Sequence, residues 1–268
     1  MGSDEWAHGM DIEAPSSARM YDYYLGGSHN FTADREAAAK VIAAMPAAPR
    51  IARANRAFLH RSVRYMLAHG IRQFLDLGSG IPTVGNVHEV AQRVAPESRV
   101  VYVDIDPVAV TLAGRLLDGD DRAVAMRADL RQPREVLQRP ELRTVLDLTR
   151  PVGVLLVSVL HFVPDADDPH GVVAVLRDSV VPGSYLALSH GLDTGFVSEE
   201  AAAVQGVYRS TPTPGGLRTG QQIAAFFDGF ELVDPGIVWL DQWRPDQEAT
   251  TGRQPAETGI VAGVGLRG

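Results

Sequence analysis

Phe74-Leu-Asp-Leu-Gly-Ser-Gly80 and Val100-Val-Tyr-Val-Asp104 are the two stretches that decide the fold of this chain. Each is an apolar run of strand length, the first ending in a glycine turn and the second in an acidic residue. A strand, a glycine turn, a helix and a second strand ending in an acid form the ligand-binding edge of a doubly wound sheet. The pattern therefore predicts a pocket for a ligand of the adenosine type.

Outward from these stretches, apolar strand-length runs alternate with helical segments. The predicted strands cover residues 72–77, 99–104, 123–127, 152–158, 184–189, 230–233 and 260–264. Residues 16–25, 32–44 and 51–69 predict three helices before the first strand, with Thr32 as the N-cap of the second and with arginines of the third mostly facing solvent. Seven strands fit one sheet.

The expected fold class is therefore α/β, a Rossmann-like, seven-stranded, mostly parallel and doubly wound sheet. An N-terminal helical extension, residues 1–70, is expected to act as a lid on a core formed by residues 71–268. The two parts are expected to form a single compact unit.

Composition narrows the classes of function. The 268 residues are 45% hydrophobic and 22% charged, which is ordinary for a soluble globular protein. The longest nearly apolar run, residues 151–163, is too short to cross a bilayer, and a cytoplasmic location without membrane contact is expected. The absence of cysteine excludes thiolate nucleophiles and cysteine-ligated metals. A net charge of -8 argues against nucleic acid as a partner, and the oligomeric state stays open, with a homodimer as one alternative.

Ligands of open α/β sheets bind beyond the carboxyl ends of the strands, so polar residues at those ends should converge. Asp76, the glycine turn, Asp104, Asp129 and Ser158 occupy these positions. Glycines let backbone N–H groups approach a ligand, and an acid at the end of the second strand can accept hydrogen bonds from two ribose hydroxyls.

The loop after Gly80 bears on which adenosine ligand binds. A dinucleotide site needs a small residue three positions after its second glycine, where this chain has Thr83, preceded by Pro82, which has no N–H to donate. The next helix begins only near Asn86. A ligand without phosphates suits such a loop better than a dinucleotide, although an NAD(P)-dependent oxidoreductase remains the alternative.

Three motifs in order resemble those of class I S-adenosylmethionine-dependent methyltransferases: Asp76-Leu-Gly-Ser-Gly80, Asp104 and Ala128-Asp129-Leu130. The N-terminal segment Ser17-Ala-Arg-Met-Tyr21-Asp-Tyr-Tyr-Leu-Gly-Gly27-Ser-His-Asn30 is similar to that of one particular family within this class. With it, nearly the whole chain resembles an actinobacterial family of methyltransferases first filed as a domain of unknown function.

The resemblance implies S-adenosylmethionine (SAM) as cofactor and methyl transfer to an oxygen or nitrogen of a small molecule. A SAM-binding protein without turnover is a further alternative. By the same resemblance the turn would pass along the methionine part of SAM, Asp104 would hold the ribose, Asp129 and Leu130 would border the adenine, and Ser158 would lie near the methyl group. The implied cofactor-binding residues are Asp76, Gly78, Ser79, Gly80, Asp104, Ile105, Asp129, Leu130 and Ser158.

Two aromatic side chains and one turn are candidates for the acceptor side. Tyr21 could place its ring face or its oxygen near the sulfonium, as a catalytic residue, or could only pack. Tyr24 and the turn residues Gly26, Gly27 and Asn30 would then form a substrate-side lid over the cofactor.

His161 follows the fourth strand and is the candidate general base, because its reference pKa lies near neutrality. The competing interpretation is a histidine that only holds its loop. No metal is expected: Asp165, Asp167 and Asp168 are interpreted as a solvated loop and a helix cap rather than a cation site. His88-Glu89 lacks the second histidine of a zinc motif.

Overall fold

The computed structural model describes residues 11–82, 85–246 and 258–268. Thr83 and most of the predicted loop over residues 242–254 lie outside the described residues. Within these ranges, no helix is long and apolar enough to cross a membrane.

The strands form one sheet, in which five parallel strands run in the order β3-β2-β1-β4-β5 and β8 pairs antiparallel with β5. The strands are β1 (Gln73–Leu77), β2 (Arg99–Asp104), β3 (Ala123–Arg127), β4 (Gly153–Val157), β5 (Tyr185–Gly191), β6 (Glu231–Leu232), β7 (Val238–Trp239) and β8 (Ile260–Leu266). The fold class predicted from the sequence is confirmed. The predicted seven strands form one continuous path that ends β5-β8-β6, and the two-residue β7, which the pattern missed, pairs with β8 beside it.

Ten α-helices of the described residues cover the sheet and its edge. They are α1 (Ser17–Tyr24), α2 (Thr32–Ala44), α3 (Ala48–Ala68), α4 (Val87–Val94), α5 (Pro107–Leu116), α6 (Pro133–Gln138), α7 (Pro140–Val145), α8 (Pro169–Asp178), α9 (Ser198–Tyr208) and α10 (Gly220–Ala225). Prolines at the first turn set the start of several of them, because proline fixes φ and needs no helical hydrogen-bond partner there.

Two hydrophobic clusters, one on each face, hold the sheet between helices. On one face Phe58 and Met66 of α3 pack with Phe74 of β1. On the other, Leu75 of β1 belongs to a cluster with Leu176 of α8 and side chains of α6, α7 and α10. Successive residues of β1 thus point to opposite, equally apolar faces, which explains why the strand reads as a continuous apolar run.

The first helices are fixed to the sheet by a buried ion cluster. The Nε atom of Arg19 in α1 lies 3.3 Å from Asp34 Oδ1 and 3.5 Å from Asp106 Oδ2. Asp106 also caps α5, since its carboxylate accepts the N–H of Val108, and it accepts the Ser16 hydroxyl. The cluster therefore joins α1 and α2 to the turn that follows β2.

One detail of the predicted helix starts is wrong. Thr32 is the first residue of α2 rather than its N-cap, a position that Phe31 occupies. The Asp34 carboxylate accepts the Phe31 N–H at 2.8 Å and the Ser16 N–H at 2.9 Å. A carboxylate inside the helix thus accepts N–H groups near the helix start, so no threonine side chain is needed as a cap.

Candidate active site

A cavity of about 250 Å³ lies at the carboxyl ends of β1, β2 and β4, where the strand order reverses on either side of β1. This is the position at which open α/β sheets bind ligands. Its walls come from these strand ends, from α1 and α3 of the N-terminal extension, and from α9 with the segment that follows it.

The glycine turn forms one wall with its backbone. Gly78 and Gly80 have φ angles of +70° and +68°, which side-chain-bearing residues rarely adopt. A Cβ atom at Gly78 would lie 2.1 Å from Cγ2 of Val159, so a side chain cannot be accommodated there without displacement. Ser79, between them, also lines the cavity. At Gly78 and Gly80 the turn therefore presents backbone rather than side chains to a ligand.

Two buried carboxylates stand beside this turn. Asp104 Oδ2 accepts the Gly80 N–H at 2.7 Å, and its Oδ1 accepts the Asp106 N–H at 2.9 Å. Burial raises the pKa of Asp104 to about 6. Burial raises the pKa of Asp76 to about 7, and no described residue donates a hydrogen bond to its carboxylate. Both acids therefore keep unused acceptor capacity in a place where their charge is poorly solvated.

The far side of the β2 end is flatter and more apolar. Ile105 lines the cavity and stays 41% exposed, which is unusual for a large apolar side chain. Asp129 and Leu130 line the same side. Burial raises the pKa of Asp129, but hydrogen bonds from Arg131, the shortest of 2.6 Å, outweigh that effect and hold its pKa below the usual range.

The two tyrosines of α1 reach the cavity. The hydroxyl of Tyr21 donates to the carbonyl of Ala52 at 2.9 Å and accepts from Nδ2 of Asn55 at 3.0 Å, so the ring lines the cavity while the oxygen is bound to α3. The hydroxyl of Tyr24 lies 3.3 Å from that of Tyr208 in α9. Of the two ways in which Tyr21 could act, only the ring face remains open to a ligand.

Ser158 and His161 line the cavity beyond the end of β4. Ser158 has a φ of 55°, and its N–H donates to Ser189 Oγ at 2.9 Å. Burial lowers the pKa of His161 well below its ordinary value, and His190 and Arg218 lower it further. The Nδ1 atom of His161 is buried and has no hydrogen-bond partner among the described residues. The imidazole is thus neutral at pH 7.

The turn between α1 and α2 does not contribute to the described lining of the cavity. Gly26, Gly27 and Asn30 were expected to close over the cofactor, but none of them is among the described residues that line the cavity. Asn30 Nδ2 instead donates to Asp22 Oδ2 at 2.8 Å and to the carbonyl of Gly27 at 3.0 Å. Asp22 also accepts the His29 N–H, so this side chain of α1 holds the turn against its own helix.

Several lining residues were not singled out by the sequence. They are Val41, Met45, Phe162, Phe196, Val204, Tyr208 and Leu217. All of them except Phe162, which follows His161, lie far from the sheet motifs in sequence, so only the tertiary fold identifies them. Asn55 and Arg56 of α3 also line the cavity.

The acidic loop after His161 supplies structure. The Asp168 side chain accepts the Gly171 N–H and caps α8, and Asp165 binds the guanidinium of Arg218 at 2.7 Å. Within residues 11–82, 85–246 and 258–268, no group of three or more His, Asp or Glu side chains could hold a metal ion.

The donor and acceptor set fits SAM. Asp76 and Asp104 can accept hydrogen bonds from an ammonium group and from hydroxyls, Ile105 and Leu130 offer apolar surface, and the turn has no side chain in the way. Helix α4 begins at Val87, well after Gly80, so no helix N-terminus follows the turn directly as a pyrophosphate site requires. Sheet order, turn and buried acids together define a Rossmann-like methyltransferase.

The chain belongs to the S-adenosyl methyltransferase family, whose model matches residues 3–268. It is a SAM-dependent methyltransferase, and SAM rather than NAD(P) is its cofactor.

Two solved structures have nearly the same fold. A DUF574 family protein from Streptomyces avermitilis is 42% identical, with 96% of this chain and 99% of that chain covered and a TM-score of 0.91. A candidate methyltransferase from Thermobifida fusca is 40% identical, with 97% of each chain covered and a TM-score of 0.89. The family that the N-terminal motif indicated is thereby confirmed. Among curated proteins, none matches this chain.

Proposed function

We propose that this methyltransferase acts on an uncharged small molecule and methylates it at oxygen or nitrogen. The observation that carries the proposal is the division of the cavity into a charged and an apolar end. The charged lining residues are Arg56, Asp76, Asp104, Asp129 and Arg131, at or near the β1, β2 and β3 ends. The opposite end is formed mainly by apolar and aromatic side chains of α1, α2 and α9, and its polar lining residues, Ser17 and Gln205, are uncharged. An ionic acceptor would lose its hydration there without gaining a counter-charge.

The charged end would hold SAM. In this proposal Asp104 accepts the ribose hydroxyls, Asp76 faces the ammonium group, and Ser158 lies near the methyl group. Ile105, Asp129 and Leu130 would border the adenine, and Gly78, Ser79 and Gly80 would pass along the methionine chain. When bound, SAM supplies an electrophilic methyl group on a positively charged sulfur. Helix α1 would cover it as a lid, with Tyr21 and Tyr24 facing the cavity.

The raised pKa of Asp76 predicts a pH dependence of SAM binding. Burial raises this pKa to about 7 in the free protein, so below pH 7 the carboxyl carries a proton that an ammonium group must displace. Affinity should therefore fall as the pH falls from 7 toward 5.5, by up to about tenfold per pH unit. Asp104, with a pKa of about 6, adds to the loss at the acidic end.

Calorimetric titration with SAM between pH 5.5 and 7.5 measures this dependence. The matched variant is Asp76→Asn, in which the side chain keeps its shape and cannot titrate. Its affinity should be lower at pH 7.5 and should change less with pH than that of the wild type. A wild-type affinity that is constant over this interval would contradict the role of Asp76.

His161 would serve as the base. Its imidazole is neutral, and burial, with smaller contributions from His190 and Arg218, lowers its pKa and makes it a weak base. A weak base suffices here, because the proton of an O–H or N–H acceptor becomes strongly acidic as the new bond to carbon forms. SAM, held by Asp76, Asp104 and the glycine turn, would supply the methyl group to the acceptor's lone pair and would leave as the neutral thioether, and His161 would take up the acceptor's proton.

Transfer of labelled methyl from SAM to a panel of small acceptors tests the function. Neutral phenols, arylamines and apolar alcohols should be methylated, whereas carboxylates and phosphates of similar size should not. His161→Ala should lower the rate on the best acceptor by about 100-fold or more, with SAM affinity within twofold of the wild type. Transfer only to protein or nucleic acid would overturn the proposed acceptor class, and an unchanged rate in the variant would remove the base role.

A further inference from the structure

A chain of buried hydrogen bonds connects the end of the sheet to the lid through Asn55. Ser189 Oγ in β5 donates to Asn55 Oδ1 at 2.6 Å, and Asn55 Nδ2 donates to the Tyr21 hydroxyl at 3.0 Å. The Tyr21 hydroxyl in turn donates a hydrogen bond to the carbonyl of Ala52 at 2.9 Å. Asn55 and Ser189 are 3% and 0% exposed, so water cannot replace these partners.

The contacts favour one orientation of the amide. Ser189 Oγ accepts the N–H of Ser158 at 2.9 Å and lies 3.3 Å from Ser158 Oγ, but its shorter contact, of 2.6 Å, is to Asn55 Oδ1. Donation along that shorter contact leaves the amide nitrogen facing Tyr21. Every polar atom of this chain is satisfied within the protein, as buried polar groups require. The chain also ties together two walls of the cavity, the left-handed residue after β4 and the ring of Tyr21 on α1.

The consequence for Tyr21 is that its oxygen is held against α3 while its ring lines the cavity. An aromatic face attracts a cation, and the sulfonium of SAM is a cation, whereas the thioether of S-adenosylhomocysteine (SAH) is neutral. A ring fixed at its oxygen end cannot swing away from its place when the ligand changes. Its contribution should therefore depend on the charge at the sulfur.

We propose that Asn55 is a positioning residue that holds the face of Tyr21 toward the sulfonium and thereby adds affinity for SAM that SAH does not share. The proposal rests on the proposed function in one respect, since it requires the methyl-donor sulfur to lie on the α1 side of the cavity. In this proposal Asn55 acts through the tyrosine and not through a contact of its own with the sulfonium.

Calorimetry with SAM and with SAH, separately, tests the proposal without knowledge of the acceptor. Asn55→Ala removes one of the two hydrogen bonds that hold the Tyr21 hydroxyl and so loosens the ring, which should weaken SAM binding about fivefold while SAH binding stays within twofold. Tyr21→Leu removes the ring and should lower the preference for SAM at least as much. Tyr21→Phe keeps the ring but loses its tether and should fall between the wild type and Tyr21→Leu.

The matched control is Ser62→Ala, which removes a fully buried hydroxyl of α3 that donates to the carbonyl of Leu59 at 2.9 Å. Its ratio of SAM to SAH affinity should equal that of the wild type. If Asn55→Ala weakens both ligands equally, or neither, Asn55 serves only the fold and the proposal is overturned. Failure of the wild type to bind either ligand would overturn the proposed placement of the cofactor instead.

Discussion

Replacement of Asp104 by alanine is expected to raise the dissociation constant for SAM by at least about 100-fold. A hydrogen bond to a charged group contributes roughly 1.5–3 kcal/mol, and two ribose hydroxyls would lose their common acceptor. The loss should appear in calorimetry with SAM and with SAH alike, because both carry the same ribose. This is the largest effect on binding that the site predicts for a single side chain.

The melting temperature of the ligand-free variant shows whether a loss of SAM affinity arises from the binding site or from misfolding. Burial raises the pKa of Asp104 to about 6, so its ionised form is less stable in the folded protein than in water. Asp104→Asn should therefore retain the melting temperature of the ligand-free protein within a few degrees, yet bind SAM weakly. Asp121→Ala, at a side chain that is 98% exposed, is the control and should bind normally. Normal SAM affinity in both Asp104 variants would refute the assignment of the site.

The sheet and its ligand edge could be predicted because their signals are local. The apolar residues of β1 and β2 are consecutive, and the turn that follows β1 needs two left-handed residues, which Gly78 and Gly80 supply. Prolines such as Pro107 and Pro140 mark helix starts within one residue. Each of these features depends on residues a few positions apart, which periodicity and turn chemistry can detect.

The walls of the cavity depend on distant pairs, which the sequence does not reveal. The turn at Gly26 was predicted correctly as a turn, but its direction is set by Asp22, which binds the Asn30 side chain and the His29 N–H. Arg61 was grouped with surface arginines, yet it is buried because it donates to the carbonyls of Leu240 and Trp243. A charged side chain gives no local sign of such partners.

For the same reason, the sequence does not reveal how α1 is attached to the sheet. Arg19 lies within the N-terminal motif, but nothing near it in sequence indicates Asp106 as a partner. Asp106 directly follows Asp104 and Ile105, which line the cavity, so the ion cluster fixes α1 next to the end of β2.

Arg19→Met is accordingly expected to produce the largest loss of stability, about 3–5 kcal/mol at neutral pH. The variant keeps most of the side-chain volume but leaves the buried carboxylates of Asp34 and Asp106 without their cation. Burial already raises the pKa of Asp34, and without Arg19 its ionised form becomes still less stable, so the loss should shrink as the pH falls and the acid takes up a proton.

Urea unfolding at pH 7.5 and pH 5.5 measures this loss, and the molecule offers a matched control. Arg64 and Asp246 form an ion pair of 2.9 Å whose side chains are 44% and 63% exposed. Arg64→Met should cost less than about 1 kcal/mol, because an exposed pair is solvated in both states. If Arg19→Met fails to fold, Arg19→Lys, which keeps the charge, should fold with intermediate stability. Equal free energies of unfolding for Arg19→Met and Arg64→Met would show that the buried ion cluster does not stabilise the attachment of α1.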